Sequence, residues 1–166
     1  MSTLTTRLYI VRHAVAEDRA ADGDDRSRRL TRKGRRRFAR LVRRLVRVGL
    51  DIDVIATSPL VRTRETAEIL SAELPGRPPI EVVEPLAPGS DWQAAVEWTL
   101  RFGAARVAWV GHAPCVGQLV ALSIGDGSAA VRMEKGAIAS IALDDGLGHP
   151  GELEWLVTPD LLRRRR

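Results

Sequence analysis

The chain has 166 residues, of which 45% are hydrophobic and 28% are charged, and its formal net charge is +5. This composition is typical of globular proteins, the length supports one domain, and the longest apolar runs fall short of the roughly 20 residues that cross a bilayer. We therefore expect a single domain at residues 1–162, a basic tail at residues 163–166 and no membrane partner. The single cysteine, Cys115, and an N-terminus without an apolar signal region predict a cytoplasmic protein.

The first predicted strand and helix follow each other directly along the chain. An apolar run at residues 8–11 predicts a strand that ends at Arg12 and His13. After a polar loop, Thr31 is a predicted helix N-cap and Gly49 a predicted helix terminator. Between these two residues, apolar side chains recur at three- and four-residue spacing while arginines fill the other positions, which predicts an amphipathic helix.

A second strand and helix are predicted next. Residues 53–57 are typical of a short buried strand. Ser58 and Pro59 then have the residue types of an N-cap and a first helical position, and the helix is expected to extend to about Leu74. Arg62 would lie in the first turn of this helix.

The remaining chain alternates strands and helices before a terminal hairpin. The predicted elements are a strand at residues 80–83, a helix at 92–102, a strand at 106–110, a helix from Pro114 onward, and hairpin strands at 137–143 and 153–157. This order predicts a three-layer α/β/α sandwich with a mostly parallel central sheet and an antiparallel terminal hairpin.

Polar side chains follow three of the predicted strands. Arg12 and His13 follow the first strand, Arg62 lies shortly after the second, and His112 follows the strand at residues 106–110. Ligands of open α/β sheets bind beyond the carboxyl ends of the strands. The sequence therefore predicts that these side chains share one site.

The residue types in this site favour phosphoryl transfer. A guanidinium group in the first turn of a helix suits an anion, so Arg62 is a predicted phosphate ligand, with an ion pair to Glu65 or Glu68 as its alternative role. A neutral imidazole can attack phosphorus and leave a phosphohistidine that water cleaves. We predict His13 as that nucleophile, because Arg12 beside it disfavours the imidazolium form and neutralises charge on the transferring oxygens.

Two other kinds of site fit the sequence less well. A zinc site could use His13, His112 and one nearby carboxylate, but two arginines beside the ligands would oppose a dication. The candidate carboxylates are those of Asp18, Asp22, Asp24 and Asp25. A cysteine-phosphatase loop at Cys115 would need an arginine where Ala121 stands, so we expect Cys115 to be an ordinary helix residue.

Positive charge concentrates in residues 26–47 and in the tail at residues 163–166. Such a basic surface favours anionic partners, and it marks either a nucleic-acid surface or a solvated helix face. Sites for single-stranded nucleic acid interleave aromatic residues with cations, whereas Phe38 falls on the apolar side of the predicted helix. We therefore do not expect a nucleic-acid partner. A non-catalytic module that binds nucleic acid or another acidic partner is the alternative of a different functional class.

The ordered motifs of the chain resemble those of the histidine phosphatase superfamily, which has the phosphoglycerate-mutase-like fold. The matching segments are residues 8–14, 30–34, 58–67 and 110–114. The short length, Ala14 after the first histidine and the C-terminal segment look like the small bacterial phosphohistidine phosphatases. The resemblance implies that His13 is phosphorylated transiently, that Arg12, Arg62 and His112 form the phosphate pocket, and that the enzyme needs no metal or organic cofactor.

The chain departs from larger members of that superfamily in two ways. Only a proline-rich link at residues 75–79 stands where they carry an inserted helical region, and Ala113 stands where the acid-phosphatase branch has an aspartate. Glu84 is the nearest candidate for the proton donor. The resemblance thus implies a metal-independent phosphatase. Because an open site admits a phosphorylated side chain of a protein, we predict protein phosphohistidine as the substrate, with a small phosphorylated metabolite as the alternative.

Overall fold

The computed structural model describes residues 4–162, so the basic tail predicted at residues 163–166 lies outside the described residues. Six strands and four α-helices alternate along most of this range. The strands are β1 (Arg7–Arg12), β2 (Val54–Thr57), β3 (Ile80–Val82), β4 (Arg106–Gly111), β5 (Ile138–Ala142) and β6 (Glu152–Val157). The helices are α1 (Arg32–Arg47), α2 (Val61–Glu73), α3 (Trp92–Phe102) and α4 (Cys115–Ile124).

All six strands form one sheet in the order β3-β2-β4-β1-β5-β6. The first four strands in that order run parallel, and β5 and β6 add an antiparallel edge. This arrangement confirms the predicted α/β fold with a mostly parallel sheet and a C-terminal hairpin.

The central strands are apolar runs because helices cover both of their faces. On one face, Leu8 and Trp109 pack with residues of α3 and α4, and on the other face Val11 and Phe38 pack with residues of α1 and α2. Each large apolar side chain buried in these two clusters stabilises the fold by about 1.5–3 kcal/mol. No helix within residues 4–162 has the length and apolarity needed to span a membrane.

Helix α1 begins and ends as the sequence predicts. The Thr31 Oγ1 atom accepts a hydrogen bond of 2.9 Å from the Gly34 amide and so caps the helix. After the last helical residue, Gly49 has a φ of +101°, a conformation that favours glycine and ends the helix.

The start of α2 corrects the prediction made from the sequence. Ser58 does not cap this helix and Pro59 is not its first residue, because the chain is still extended at Leu60 and the helix begins at Val61. The Ser58 hydroxyl instead bonds to a histidine at the end of the neighbouring strand. Arg62 lies in the first turn of α2, as predicted.

The register of the central strands brings their carboxyl ends together. Arg12 of β1 pairs with Gly111 of β4, and β2 ends one residue earlier along β4. His13, His112 and Ser58 directly follow the ends of β1, β4 and β2. These three residues therefore start from one edge of the sheet.

Candidate active site

His13, the nucleophile predicted from the sequence, is held by the backbone. Its amide donates to the Gly111 carbonyl at 3.1 Å, and its carbonyl accepts from the Gly136 amide at 3.0 Å. The ring is buried, and its Nδ1 atom lies 2.7 Å from the Ala14 carbonyl oxygen. Because a carbonyl oxygen only accepts hydrogen bonds, Nδ1 carries the hydrogen and Nε2 is the basic nitrogen of the ring.

The loop after β1 is tied to both helices of one layer. The Ala14 amide donates to Thr66 Oγ1 at 3.1 Å, and the same hydroxyl donates to the Arg62 carbonyl at 2.7 Å. A Cβ atom at Gly34 would overlap the Val15 carbonyl oxygen. Glycine at this position thus lets the start of α1 approach the active-site loop.

His112 faces His13 across the carboxyl edge of the sheet. The centroids of the two rings are 5.4 Å apart, with 56° between the ring planes. Nε2 of His112 lies 2.8 Å from Ser58 Oγ, which also accepts a hydrogen bond from the Leu60 amide. The Ser58 hydroxyl is free to donate its own hydrogen to Nε2, and in that arrangement the ring hydrogen of neutral His112 is on Nδ1. That Nδ1 atom is buried without a hydrogen-bond partner among the described residues.

Both imidazoles are neutral near pH 7. Burial lowers the pKa of His13 to about 3, and the positive charges of Arg62 and Arg12 act in the same direction. Burial also lowers the pKa of His112 to about 4, with Arg62 adding to the shift and Asp25 opposing it. A neutral imidazole has a lone pair on one nitrogen, so either ring is in the form that nucleophilic attack requires.

The two predicted phosphate-binding arginines are each anchored at one end of the guanidinium group. Arg12 Nη1 donates to the Met133 carbonyl at 2.8 Å. Arg62 donates through Nη1 to the Asp25 carbonyl at 2.8 Å and through Nη2 to the Asp25 carboxylate at 3.1 Å. The Nε atoms of both arginines are buried and have no hydrogen-bond partner in the described part of the chain. Each of these nitrogens, like Nδ1 of His112, is a buried group whose hydrogen-bonding capacity an oxyanion could satisfy.

Asp25 and Arg28 were not predicted as ligands of the phosphate site, and Ser58, which begins a segment predicted at the strand ends, was predicted only as a helix cap. The Asp25 carboxylate lies between two cations, with Oδ1 at 2.8 Å from Arg28 Nε and Oδ2 at 3.1 Å from Arg62 Nη2. Burial lowers the pKa of His112, and the positive charge of Arg28 lowers it further. In the sequence, Asp25 is distinguished by its place in a charged loop, and it was considered there as a carboxylate ligand of a zinc site.

The glutamates considered as partners of Arg62 do not pair with it. Glu65 is buried, and its carboxylate accepts hydrogen bonds from the Leu30 amide at 2.8 Å and from Arg29 Nε at 2.9 Å. It also pairs with Arg35 of α1. The alternative role of Arg62 was therefore wrong, and Glu65 instead fixes the start of α1 against α2.

Glu84, the predicted proton donor, is exposed at the start of a 3-10 turn (Glu84–Leu86) that follows β3. Strand β2 separates β3 from β4, so Glu84 follows a strand farther along the sheet than those that carry the two histidines. Its carboxylate forms no hydrogen bond or ion pair with another residue in the range 4–162. Its role as the acid stays a prediction.

The two histidines considered for a zinc site lie close together, but no carboxylate of the described residues joins them to complete a metal site. Within residues 4–162, no three His, Cys, Asp or Glu side chains are grouped so that they could hold a metal ion. Asp25, one of the candidate carboxylates, bonds to Arg62 instead. Cys115 is the first residue of α4, where it accepts a hydrogen bond of 3.3 Å from the Gly89 amide.

Sequence comparisons assign the chain to a family. Residues 8–120 match the family model of the histidine phosphatase superfamily (branch 1). An uncharacterized protein of Picosynechococcus sp. is 38% identical over 138 residues, which cover 81% of this chain and 83% of that relative. The matched segment contains the predicted nucleophile, His13, and the three predicted phosphate ligands, Arg12, Arg62 and His112.

The fold is similar to solved structures of histidine phosphatases. The protein histidine phosphatase SixA complexed with tungstate is 28% identical to this chain, with a TM-score of 0.82 and a match that covers 95% of this chain and 99% of that one. A putative phosphohistidine phosphatase SixA from Agrobacterium tumefaciens, 19% identical, shares the fold with a TM-score of 0.77 and coverage of 93% and 98%. The chain therefore belongs to the histidine phosphatase superfamily, in which it is a phosphatase of the SixA-like type.

Proposed function

We propose that this phosphatase hydrolyses phosphohistidine in a protein and that the phosphoryl group passes through a covalent bond to His13. One observation carries the proposal: Nδ1 of His13 lies 2.7 Å from the Ala14 carbonyl, which leaves the lone pair on Nε2. Because burial lowers the pKa of His13 to about 3, that lone pair is available at neutral pH. A neutral nitrogen is not repelled by a phosphoryl dianion as an anionic nucleophile would be.

In the first half-reaction, Nε2 of His13 attacks phosphorus in line with the bond to the substrate nitrogen. That bond breaks, and its electron pair goes to the leaving nitrogen. The other nitrogen of a phosphohistidine ring can carry a proton, so the leaving group departs as a neutral imidazole without a strong acid from the enzyme. The positive charge that forms on the phospho-His13 ring is stabilised by the hydrogen bond from Nδ1 to the Ala14 carbonyl.

In the second half-reaction, water attacks the phosphorus of phospho-His13. The bond between phosphorus and Nε2 breaks with its electron pair on Nε2, both hydrogens of the water leave with the phosphate as H₂PO₄⁻, and His13 returns to its neutral form. Arg12, Arg62 and His112 are the proposed ligands of the phosphoryl oxygens in both steps. His112 donates through Nδ1 because the Ser58 hydroxyl holds its other nitrogen.

The short connection after β3 favours a substrate on a protein surface. At the carboxyl edge of the sheet, one 3-10 turn (Glu84–Leu86) with residues 87–91 joins β3 to α3, and it adds no α-helix above that edge. The link at residues 74–79 leads into the amino end of β3, at the opposite edge of the sheet from the two histidines. An open site admits the side chain of a folded protein more readily than it retains a small phosphosugar. The similarity to SixA, a protein histidine phosphatase, supports the same substrate class.

Rapid quenching with a radiolabelled phosphohistidine protein tests the covalent step. We expect an acid-labile label on the enzyme that forms in the presence of a chelator and is absent from His13→Ala. His149→Ala is the matched control, because His149 is exposed in a distant turn and should be labelled like the native enzyme. Equal labelling of His13→Ala would contradict the proposed intermediate.

A substrate panel tests the leaving group. The ratio kcat/KM should be higher for a phosphohistidine protein than for sugar phosphates and nucleotides by about two orders of magnitude. The opposite ranking would support a small phosphorylated metabolite as the substrate.

Glu84→Gln should slow the turnover of esters more than that of phosphohistidine if Glu84 supplies a proton, because an alkoxide needs an acid more than an imidazole does.

A further inference from the structure

Helix α1 carries a row of cations that the rest of the fold does not use. Its sequence contains eight arginines, one lysine and no acidic residue. Five of the nine recur at three- and four-residue spacing and so share one face of the helix, over a length of about 21 Å. These five residues, which we name the basic stripe, are Lys33, Arg36, Arg40, Arg44 and Arg47.

The basic stripe is exposed and unpaired. All five side chains face solvent, and none forms an ion pair with another described residue. Three of the other four arginines of α1 behave differently, because they have acidic partners from neighbouring elements. These pairs are Arg35 with Glu65, Arg37 with Asp160, and Arg43 with Glu73. Positive charge is thus compensated beside the stripe and left uncompensated along it.

Stability of the helix does not explain this pattern. Like charges at three- and four-residue spacing destabilise a helix, and one glutamate in the row would replace repulsion with attraction. The stripe also contributes nothing to the core, which α1 contacts through its opposite face with Phe38, Leu41 and Val42. An uncompensated row that the fold does not need points to a partner with negative charge.

The stripe begins beside the active site. Its first residue, Lys33, precedes Gly34, which lies against the Val15 carbonyl. The same carbonyl accepts a hydrogen bond of 2.9 Å from the Thr31 amide. Val15 is only two residues beyond His13, so a partner whose side chain reaches His13 is close to the first turn of α1. From there the stripe follows the helix away from the carboxyl edge of the sheet.

We propose that the basic stripe docks an acidic surface of the phosphohistidine protein, so that the phosphorylated side chain enters the site while an acidic helix or ridge lies along α1. This inference rests on the proposed function and adds the charge of the substrate protein to it. A protein partner is favoured over nucleic acid because the single aromatic residue of α1, Phe38, is fully buried and leaves no platform on which bases could stack. Attraction between the two surfaces accelerates their encounter and weakens as salt is added.

Two synthetic phosphohistidine peptides of equal length test the docking surface. One carries glutamates beside the phosphohistidine, and the other carries glutamines at the same positions. At low ionic strength, kcat/KM should be about tenfold higher for the glutamate peptide, and the preference should disappear at high ionic strength. Equal kcat/KM for the two peptides at low ionic strength would overturn the docking proposal while leaving the phosphatase function intact.

A pair of double variants with the same change of charge locates the effect. Arg40→Gln with Arg44→Gln removes two cations of the stripe, and Arg77→Gln with Arg101→Gln removes two exposed cations elsewhere. The first variant should lose most of the preference for the glutamate peptide, and the second should keep it. Both should hydrolyse free phosphohistidine like the native enzyme, because none of these residues contacts the site. An equal loss in both variants would overturn the proposal.

Two further measurements separate the possible failures. If the native enzyme hydrolyses neither free phosphohistidine nor either peptide, the proposed function is wrong, and the docking proposal that rests on it is wrong as well. The second measurement compares two inhibitors of glutamate-peptide hydrolysis, a DNA duplex and the unphosphorylated glutamate peptide. If DNA inhibits more strongly, and the Arg40→Gln, Arg44→Gln variant is less sensitive to DNA but equally sensitive to the peptide, the partner is a nucleic acid. That result would overturn the docking of an acidic protein while the phosphatase function stands.

Discussion

The two histidines of the site have rings only 5.4 Å apart, yet they are oriented by different kinds of contact. The chain's own backbone holds His13, through the Ala14 carbonyl at its ring and through main-chain hydrogen bonds on both sides. His112 is oriented by one side chain, the hydroxyl of Ser58. Main-chain contacts survive most substitutions of neighbouring residues, whereas a single hydroxyl can be removed. The main chain therefore orients the ring of the nucleophile, whereas one side-chain hydroxyl orients the ring of His112.

The largest effect we expect comes from the nucleophile itself. His13→Asn keeps an amide that can donate to the Ala14 carbonyl but has no nucleophilic nitrogen, so kcat should fall by at least about 10⁴-fold. His112→Asn removes a ligand of the phosphoryl oxygens, so its loss should be nearer 10²-fold, with covalent label still forming on His13. Steady-state kinetics and the trapping assay measure both values. Equal losses would contradict the separate roles of the two rings.

The acid stability of the protein probes both rings at once. In the unfolded chain the histidine pKa is about 6.5, whereas the folded values are about 3 for His13 and about 4 for His112. Between these values the unfolded chain binds protons that the folded chain does not, so the free energy of unfolding falls as the pH falls below about 6.5. Each ring should contribute on the order of 2 kcal/mol between pH 6.5 and pH 4.5.

Urea unfolding at several pH values measures this loss. In both His13→Asn and His112→Asn, the free energy of unfolding should fall less steeply as the pH falls below about 6.5, and in the double variant it should fall less steeply still. An unchanged pH dependence in the double variant would show that other groups cause the loss. In that case the burial of two neutral imidazoles would not be the source of the acid sensitivity.

Ser58→Ala should remove the side-chain contact that orients His112 and leave the main-chain contacts of His13 unchanged. Without the hydroxyl, His112 loses the contact that keeps its hydrogen on Nδ1, and kcat should fall by about tenfold to 100-fold with a smaller change in KM. Nitrogen chemical shifts of the imidazoles provide a readout that a purely structural role would not move. We expect the His112 tautomer to become mixed and the His13 tautomer to stay fixed. A change confined to KM would contradict this positioning role for Ser58.

The same contrast explains which parts of the molecule the sequence could predict. Helix α1 was predicted correctly because its cap at Thr31 and its terminator at Gly49 are local features. The convergence of Arg12, His13 and His112 followed from apolar runs that end at these residues, since parallel strands bring their carboxyl ends to one edge. Local patterns and sheet topology were therefore enough to predict that the two imidazoles meet at one edge of the sheet.

Contacts between distant side chains could not be predicted in this way. Ser58 before a proline has the pattern of a helix cap, and only the pairing of β2 with β4 brings it to His112, which lies 54 positions farther along the chain. Asp25 belongs to a loop whose path no periodicity specifies, and its partner Arg62 lies 37 positions away. In both cases a tertiary contact replaced the local role that the residue type indicates.

The smallest effect we expect concerns Asp25, whose carboxylate shares the Arg62 guanidinium with any phosphate bound there. Asp25→Asn removes a negative charge beside the anion but keeps the backbone contact from Arg62 Nη1 to the carbonyl of residue 25. Inorganic phosphate should therefore inhibit the variant about threefold more strongly, and the difference should shrink as salt is added, because this carboxylate is largely exposed. Asp24→Asn is the matched control, since the Asp24 carboxylate caps the 3-10 turn Asp25–Ser27 by accepting from the Arg26 amide and does not contact Arg62. Weaker inhibition of Asp25→Asn by phosphate would mean that the carboxylate mainly aligns the guanidinium, and side-chain contacts would then orient Arg62 as well as His112.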